Sequence, residues 1–265
     1  MKKNKWLLAL MTLLIVSVLA ACGAGDDEDK TTGSSSEGGE KKTLVVGTSA
    51  DYAPFEFVDT AKSDEIIGFD IDLIKIIGEK LGYEIKVENM DFNSLITALQ
   101  AKKFDVVISG MTPTEERDKV VDFSIPYYET EQYLVFNKDK GYKEISELAG
   151  GTVGAQTASI QLDLAESLAA EHGFKAASRN LIPELIQELK AGRFDAAVIE
   201  NIVSENYLSK NDDLAAFPIK VEEPDYKAIV FQEGSDLKAE FDKVIEELIA
   251  DGTIDELKAK WFVVE

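Results

Sequence analysis

Arg117 closes a polar run, Ser109-Gly110-Met111-Thr112-Pro113-Thr114-Glu115-Glu116-Arg117, that follows the apolar stretch Val106-Val107-Ile108. Thr112 and Thr114 are turn and cap residues ahead of a short predicted helix, so backbone N–H groups and hydroxyls gather beside a guanidinium. Such a grouping suits a carboxylate. Arginine grips one through two parallel hydrogen bonds, and a helix start adds positive potential. A plainer account stands beside it: an exposed Arg117 pairing with Glu115 or Asp118, which contributes little. A second polar set lies further on. Glu200 ends Ala196-Ala197-Val198-Ile199, and a carboxylate there suits an ammonium group. Gln156, Thr157 and Ser159 precede a predicted helix over residues 160–170, where side chains and N–H groups can hold an anion; Ser159 also suits the helix cap itself. Tyr52, Phe55 and Phe92 fall in loops after predicted strands. Aromatic rings there either wall an apolar or cationic side chain or join the core, as large aromatics commonly do.

The elements that position these residues are written twice. Leu95-Ile96-Thr97-Ala98-Leu99-Gln100-Ala101-Lys102-Lys103-Phe104-Asp105 leads into Val106-Val107-Ile108. Ninety residues on, Leu185-Ile186-Gln187-Glu188-Leu189-Lys190-Ala191-Gly192-Arg193-Phe194-Asp195 leads into Ala196-Ala197-Val198-Ile199, with six of eleven positions identical. Each copy reads as an amphipathic helix, a tight turn and a buried strand. Two similar α/β units imply two similar lobes. Ligands of open α/β sheets sit beyond the carboxyl ends of the strands, which here carry Ser109, Gly110 and Thr112 in one unit and Glu200 in the other. Strands are predicted over residues 43–48, 83–89, 132–137 and 227–231, with another starting at Thr152 and a hairpin over residues 56–68. Helices are predicted over 69–81, 237–250 and 254–261. One lobe then comprises residues 43–130 with 225–265, and residues 131–224 form the other.

The chain opens on Met1-Lys2-Lys3-Asn4-Lys5, followed by an apolar run over residues 6–20. That is a charged n-region and a hydrophobic h-region, shorter than the ~20 residues of a membrane-spanning helix. Leu19-Ala20-Ala21-Cys22 resembles the lipobox of bacterial lipoproteins, which implies a signal peptide over 1–21, lipidation of Cys22 and a membrane anchor. The sequence holds one cysteine, so no intramolecular disulfide forms. Residues 22–42, rich in Gly, Ser, Asp and Glu, lack apolar periodicity and read as a disordered linker. With 50 acidic against 28 basic residues and a formal charge of −22, the surface disfavours nucleic acid and anionic lipid. The single histidine, His172, is expected to be exposed, and no Cys/His metal cluster, phosphate-cradling glycine loop or Ser-His-Asp grouping is present; no metal, cofactor or catalytic residue is expected.

Several motifs resemble the polar amino-acid binding proteins of ABC importers, extracellular solute-binding family 3. They are Val46-Gly47-Thr48 with Tyr52-Ala53-Pro54-Phe55, Gly68-Phe69-Asp70-Ile71-Asp72-Leu73, Ser109 through Arg117, Val121-Asp122-Phe123-Ser124 with Pro126-Tyr127-Tyr128, and Phe194-Asp195-Ala196-Ala197. The resemblance implies an α/β fold of the two-lobed, periplasmic-binding-protein-like type II class, with a ligand cleft between lobes joined by two crossings. It implies an L-amino acid as ligand, a basic one such as arginine being expected, and delivery to the membrane subunits of an ABC permease by a monomeric receptor anchored at the outer face of a bacterial cell membrane. Carried over, Arg117 grips the α-carboxylate, with Ser109, Gly110 and Thr112 holding the ligand from the same lobe and Ser159 sharing the carboxylate. Glu200 stands where the family usually has Asp for the α-ammonium, and Tyr52 and Phe92 flank the side chain. Gln156-Thr157-Ala158-Ser159-Ile160 departs from the family's Gly-Thr-Thr or Gly-Ser-Thr. Ser49 stands where some basic-amino-acid binders have Asp, with Asp51 as its nearby substitute. The alternatives are a receptor for glutamine or another polar amino acid, a cyclohexadienyl-dehydratase-like enzyme using Glu200 or Asp51 as acid or base, and a sensory ligand-binding protein.

Overall fold

The computed structural model describes residues 41–221 and 224–263. The predicted signal peptide, Cys22 and nearly all of the predicted linker lie outside the described residues; Lys42, its last residue, already pairs in the first strand.

The chain enters on β1 (Lys42–Thr48), whose Leu44 and Val46 are buried, and crosses a small three-stranded sheet of β2 (Asp51–Tyr52), β3 (Glu56–Val58) and β4 (Ile66–Ile67). Helix α1 (Phe69–Leu81) turns Phe69, Leu73, Ile74 and Ile77 inward at helical spacing and ends where Gly82 adopts φ 78°, a left-handed cap that only glycine adopts without strain. Then come β5 (Tyr83–Asn89), α2 (Leu95–Gln100), β6 (Val106–Val107) and β7 (Val121–Phe123). β5 and β6 flank β1 in parallel register, Val46 facing both Val87 and Val106.

After β8 (Tyr128–Thr130) the chain builds a second sheet: β9 (Gln132–Asn137), β10 (Thr152–Gln156), α3 (Ile160–His172), β11 (Lys175–Arg179), α4 (Ile182–Lys190), β12 (Ala196–Glu200), α5 (Asn201–Leu208) and β13 (Leu214–Pro218). It returns through β14 (Asp225–Lys227) to β15 (Val230–Gln232) and closes with α6 (Leu237–Ala250) and α7 (Thr253–Trp261). The strand orders are β5-β1-β6-β15-β7 and β11-β10-β12-β9-β13. In each, three parallel strands are followed by an antiparallel fourth: β15, which returns through the ribbon, in the first sheet and β9, the strand just after β8, in the second. β8 and β14 pair with each other as a two-stranded ribbon between the sheets, Lys227 opposite Tyr128.

The twin turns do twin work. A Cβ on Gly47 of β1 would come within 2.4 Å of the Phe104 ring, and one on Gly154 of β10 within 2.4 Å of the Phe194 ring. Each phenylalanine therefore seals its helix–strand turn over a bare stretch of backbone. Each neighbouring aspartate ties the same turn to the central strand. Asp105 Oδ2 accepts from the Val45 N–H at 2.7 Å and Asp195 Oδ2 from the Thr152 N–H at 2.9 Å. The two aspartate N–H groups donate back to Val45 O and Thr152 O, both at 2.8 Å.

Two expectations change. The predicted strand over 227–231 is broken at Ala228 and Ile229, because the chain there leaves the ribbon for the first sheet: Ala228 N–H donates to Met111 O and Ile229 O accepts from Ser124 N–H. His172 is half-buried rather than exposed, its Nε2 3.8 Å from Glu171.

Candidate functional site

The carboxyl ends of both sheets open onto one shared space. It is lined from the first sheet's side by Ser49, Phe92, Ser109, Gly110, Thr112 and Arg117 with Asp51, Tyr52 and Glu56 of the small sheet, from the second's side by Gln156, Ile160, Gln161 and Glu200, and from the ribbon by Lys227. Ten of the eleven expected binding residues meet there. Ser159 does not line it. Its hydroxyl donates to Gln156 O at 2.7 Å and accepts from the Leu162 N–H at 3.2 Å, so it caps α3 as its position allows, and its side chain is spent on the helix. Phe55 also departs from a wall role: it is fully buried, packed against Phe69, Tyr128 and Phe262.

Arg117 begins a single 3-10 turn (Arg117–Lys119), its N–H donating to the Thr114 hydroxyl at 3.2 Å. Its guanidinium pairs with neither Glu115 nor Asp118 among the described residues. Nη1 donates to Thr112 O at 2.7 Å and Nη2 reaches across to Ala158 O at 2.9 Å, while the group lies 5.5 Å from the Phe92 ring centre. Ala158 offers that carbonyl from φ 60°, an unusual conformation for a residue with a Cβ. Burial lowers the Arg117 pKa, opposed by Asp163 and Glu116; the cation is half-buried, which strengthens its hold on an anion relative to open water.

Behind the Ser109-Gly110 corner lies a buried acid pair. The Ser109 hydroxyl accepts from Ser49 N–H at 2.9 Å and donates to Glu56 Oε1 at 2.8 Å, and the Gly110 N–H donates to Asp70 Oδ2 at 2.8 Å. These two residues thus hold the corner's shape through the acids beneath it. Burial pushes Asp70 up to about 6, against the Gly110 N–H and the Tyr127 hydroxyl, which bonds Oδ2 at 2.9 Å. Burial, then the charge of Asp70, raises Glu56 well above the carboxylate range.

Asp51 bridges the sheets. Its Oδ1 accepts from the Ser49 hydroxyl at 2.7 Å; its Oδ2 accepts from the Ile182 N–H, at the start of α4, at 2.7 Å and from Gln156 Nε2 at 3.2 Å. Burial raises its pKa, and the Ile182 and Ser49 bonds oppose that. Opposite, Glu200 is fully buried. Its Oε1 accepts from Gln161 Nε2 at 2.9 Å and from the Lys227 ammonium, which also donates to the Thr112 hydroxyl at 3.1 Å. Glu200 Oε2 is buried without a hydrogen-bond partner. Burial and the Glu200 charge together hold the Tyr52 phenol well above its ordinary pKa.

Glu56, Gln161 and Lys227 were not singled out as site residues in the sequence, and Ile160 was noted there only as a departure from the family's motif. Two left a signal: Lys227 stands at the head of the apolar run Ala228-Ile229-Val230-Phe231 and Glu56 stands between Phe55 and Phe57, and charged residues in such settings are seldom buried unless paired. Among the described residues no cluster of His, Cys, Asp and Glu is arranged to hold a metal ion, and no helix is long and apolar enough to cross a membrane.

The chain is 48% identical, over 99% of its length and 99% of the relative's, to the arginine-binding extracellular protein ArtP of Bacillus subtilis. Its fold superposes on an amino-acid ABC transporter substrate-binding protein of Streptococcus pneumoniae bound to L-arginine, with a TM-score of 0.78 and 36% identity over 84% of this chain and 95% of the other. It also matches an ancestral arginine-binding protein bound to arginine, with a TM-score of 0.77 and 40% identity over 83% and 98% of the two chains. These are two-lobed amino-acid binding proteins, and the same α/β architecture holds here. The family model of the bacterial extracellular solute-binding proteins, family 3, matches residues 44–264, and the chain belongs to that family.

Proposed function

We propose that this protein is an extracellular receptor for a polar L-amino acid, L-arginine foremost, which it delivers to an ABC import permease. One observation carries the reading: a half-buried cation, Arg117, and a buried carboxylate with an unpaired oxygen, Glu200, face one space from the sides of two different sheets. A zwitterion complements that pair. Its carboxylate meets Arg117 and its ammonium meets Glu200 Oε2. Asp51, with Tyr52 and Phe92, then receives a cationic side chain through charge and aromatic contact. The arginine-binding relatives support this choice of ligand.

The lobes are residues 43–130 with 225–265, and 131–224; the two sheets and their connecting ribbon support that division. Because the binding groups come from both, the lobes close on the ligand by bending at the ribbon. Cys22 is the lipid anchor at the outer membrane face, and residues 22–42 give the receptor reach. A thermal-shift screen of the twenty amino acids tests the ligand. One at 100 times its dissociation constant adds about 2.7 kcal/mol, and arginine should give the largest rise. A screen in which no amino acid raises the midpoint would remove the reading.

A further inference from the structure

Lys227 is the last residue of β14, on the ribbon, and its side chain is 2% exposed. It touches both sides of the cleft. Its ammonium donates to Glu200 Oε1 from the second sheet and to the Thr112 hydroxyl from the first, and the Thr112 carbonyl in turn holds Arg117. The two oxygens of Glu200 are therefore unequal. Oε1 takes two donors, Lys227 and Gln161, while Oε2 is buried with none. Removing one member of a buried ion pair leaves a costly unpaired charge, so the Lys227 ammonium stays with Glu200 when a ligand arrives.

We infer that Lys227 is a positioning residue for amine recognition: it pins Glu200 through Oε1 so that Oε2 alone is presented to the ligand's α-ammonium. This rests on the reading of Glu200 as the amine acceptor. It deepens that reading, because an amine then meets an oriented acceptor in a charge-balanced pair rather than a lone anion. Selection for the amine becomes a matter of geometry, and the negative charge left over for a cationic side chain is that of Asp51.

The test compares two probes that differ only in the α-amine: L-arginine and 5-guanidinopentanoate. Calorimetric titration of the full chain gives an affinity ratio for wild type, Lys227→Met, Glu200→Gln and the double variant. Wild type should prefer arginine by about a hundredfold or more, since a site built to bond a group rejects the analogue that lacks it. Lys227→Met should cut that preference by about tenfold or more while changing 5-guanidinopentanoate affinity by less than about threefold; a general loosening of the cleft would weaken both probes alike. In the Glu200→Gln background Lys227→Met should have no further effect on the ratio, because two residues acting through one contact are not additive. Lys227→Leu, which likewise removes the donor toward Glu200, replaces Lys227→Met if the latter fails to fold, with the same fall expected. A wild-type preference that survives Lys227→Met, or rises, overturns the role of Lys227 alone; that rise would mean that Lys227 competes with the amine. Absence of any preference in wild type overturns the amine reading and this role with it.

Discussion

The two sheets are alike where they are held together and unlike where they face the ligand space. At the turns, Phe104 and Phe194 lie over Gly47 and Gly154 at the same closeness, and Asp105 and Asp195 tie down the central strand with matching bonds. At the opposite strand ends the likeness stops. The first sheet runs into Ser109, Gly110, Thr112 and the Arg117 cation; the second ends on the Glu200 carboxylate with Gln161 beside it. Residues repeated between the units build the scaffold. Residues that are not repeated line the shared space, and on the proposed reading a ligand with two different ends needs two different jaws.

The sharpest way to break that comparison is at the paired phenylalanines. Phe104→Ala and Phe194→Ala should each destabilise the protein by about 3–5 kcal/mol, the range for emptying a large aromatic site in a packed core. The two losses should agree within about 1 kcal/mol. Urea unfolding measures both. A large loss at one turn and almost none at the other would show that the repeated motif does different jobs in the two sheets.

A smaller effect should separate the sheets by pH. The buried acids Glu56, on β3, and Asp70, on α1, both lie on the first sheet's side of the space. Asp70 sits at about 6 in the fold, above its ordinary 3.8, so between those values the folded chain keeps a proton that the unfolded chain has shed. Its contribution to stability is complete below about pH 4 and is lost as pH rises through about 6. Asp70→Asn removes that titration and keeps an acceptor for the Gly110 N–H. The midpoint of Asp70→Asn relative to wild type should therefore climb from pH 4 to pH 7. A difference that stays level across that range would mean that Asp70 ionises in the fold as freely as in the unfolded chain.

Much of this scaffold was legible in the sequence, and the reasons are local. Helix α1 announces itself through Phe69, Leu73, Ile74 and Ile77 at helical spacing and a glycine stop, and α6 through Phe241, Val244, Ile245 and Leu248. Strands β5 and β9 carry β-forming runs bounded by polar or glycine residues. Strand β11, Lys-Ala-Ala-Ser-Arg, was not legible: it lies at the sheet's edge, half-buried along most of its length, and so needs no alternation. Helix α5 hides behind β12 because Glu200, the last strand residue, is also its N-cap. The site was legible where side chains follow strand ends, as at Thr112, Gln156 and Glu200. It was not legible where a residue enters from the chain's return. Lys227 lies 27 positions from Glu200 in sequence, and only the pairing of β8 with β14 brings it to the cleft floor. Ser159 suited a helix cap and a ligand equally by type, and its neighbours chose the cap.

The central claim is that one amino acid is held at once by a cation from the first sheet and a carboxylate from the second. Calorimetric titration of L-arginine into wild type, Arg117→Ala and Glu200→Gln tests it most directly. Wild type should bind one equivalent. Each variant should lose about 2–5 kcal/mol of affinity, at least tenfold, because each leaves a ligand charge desolvated without its partner. Undiminished arginine binding by both folded variants would contradict the account.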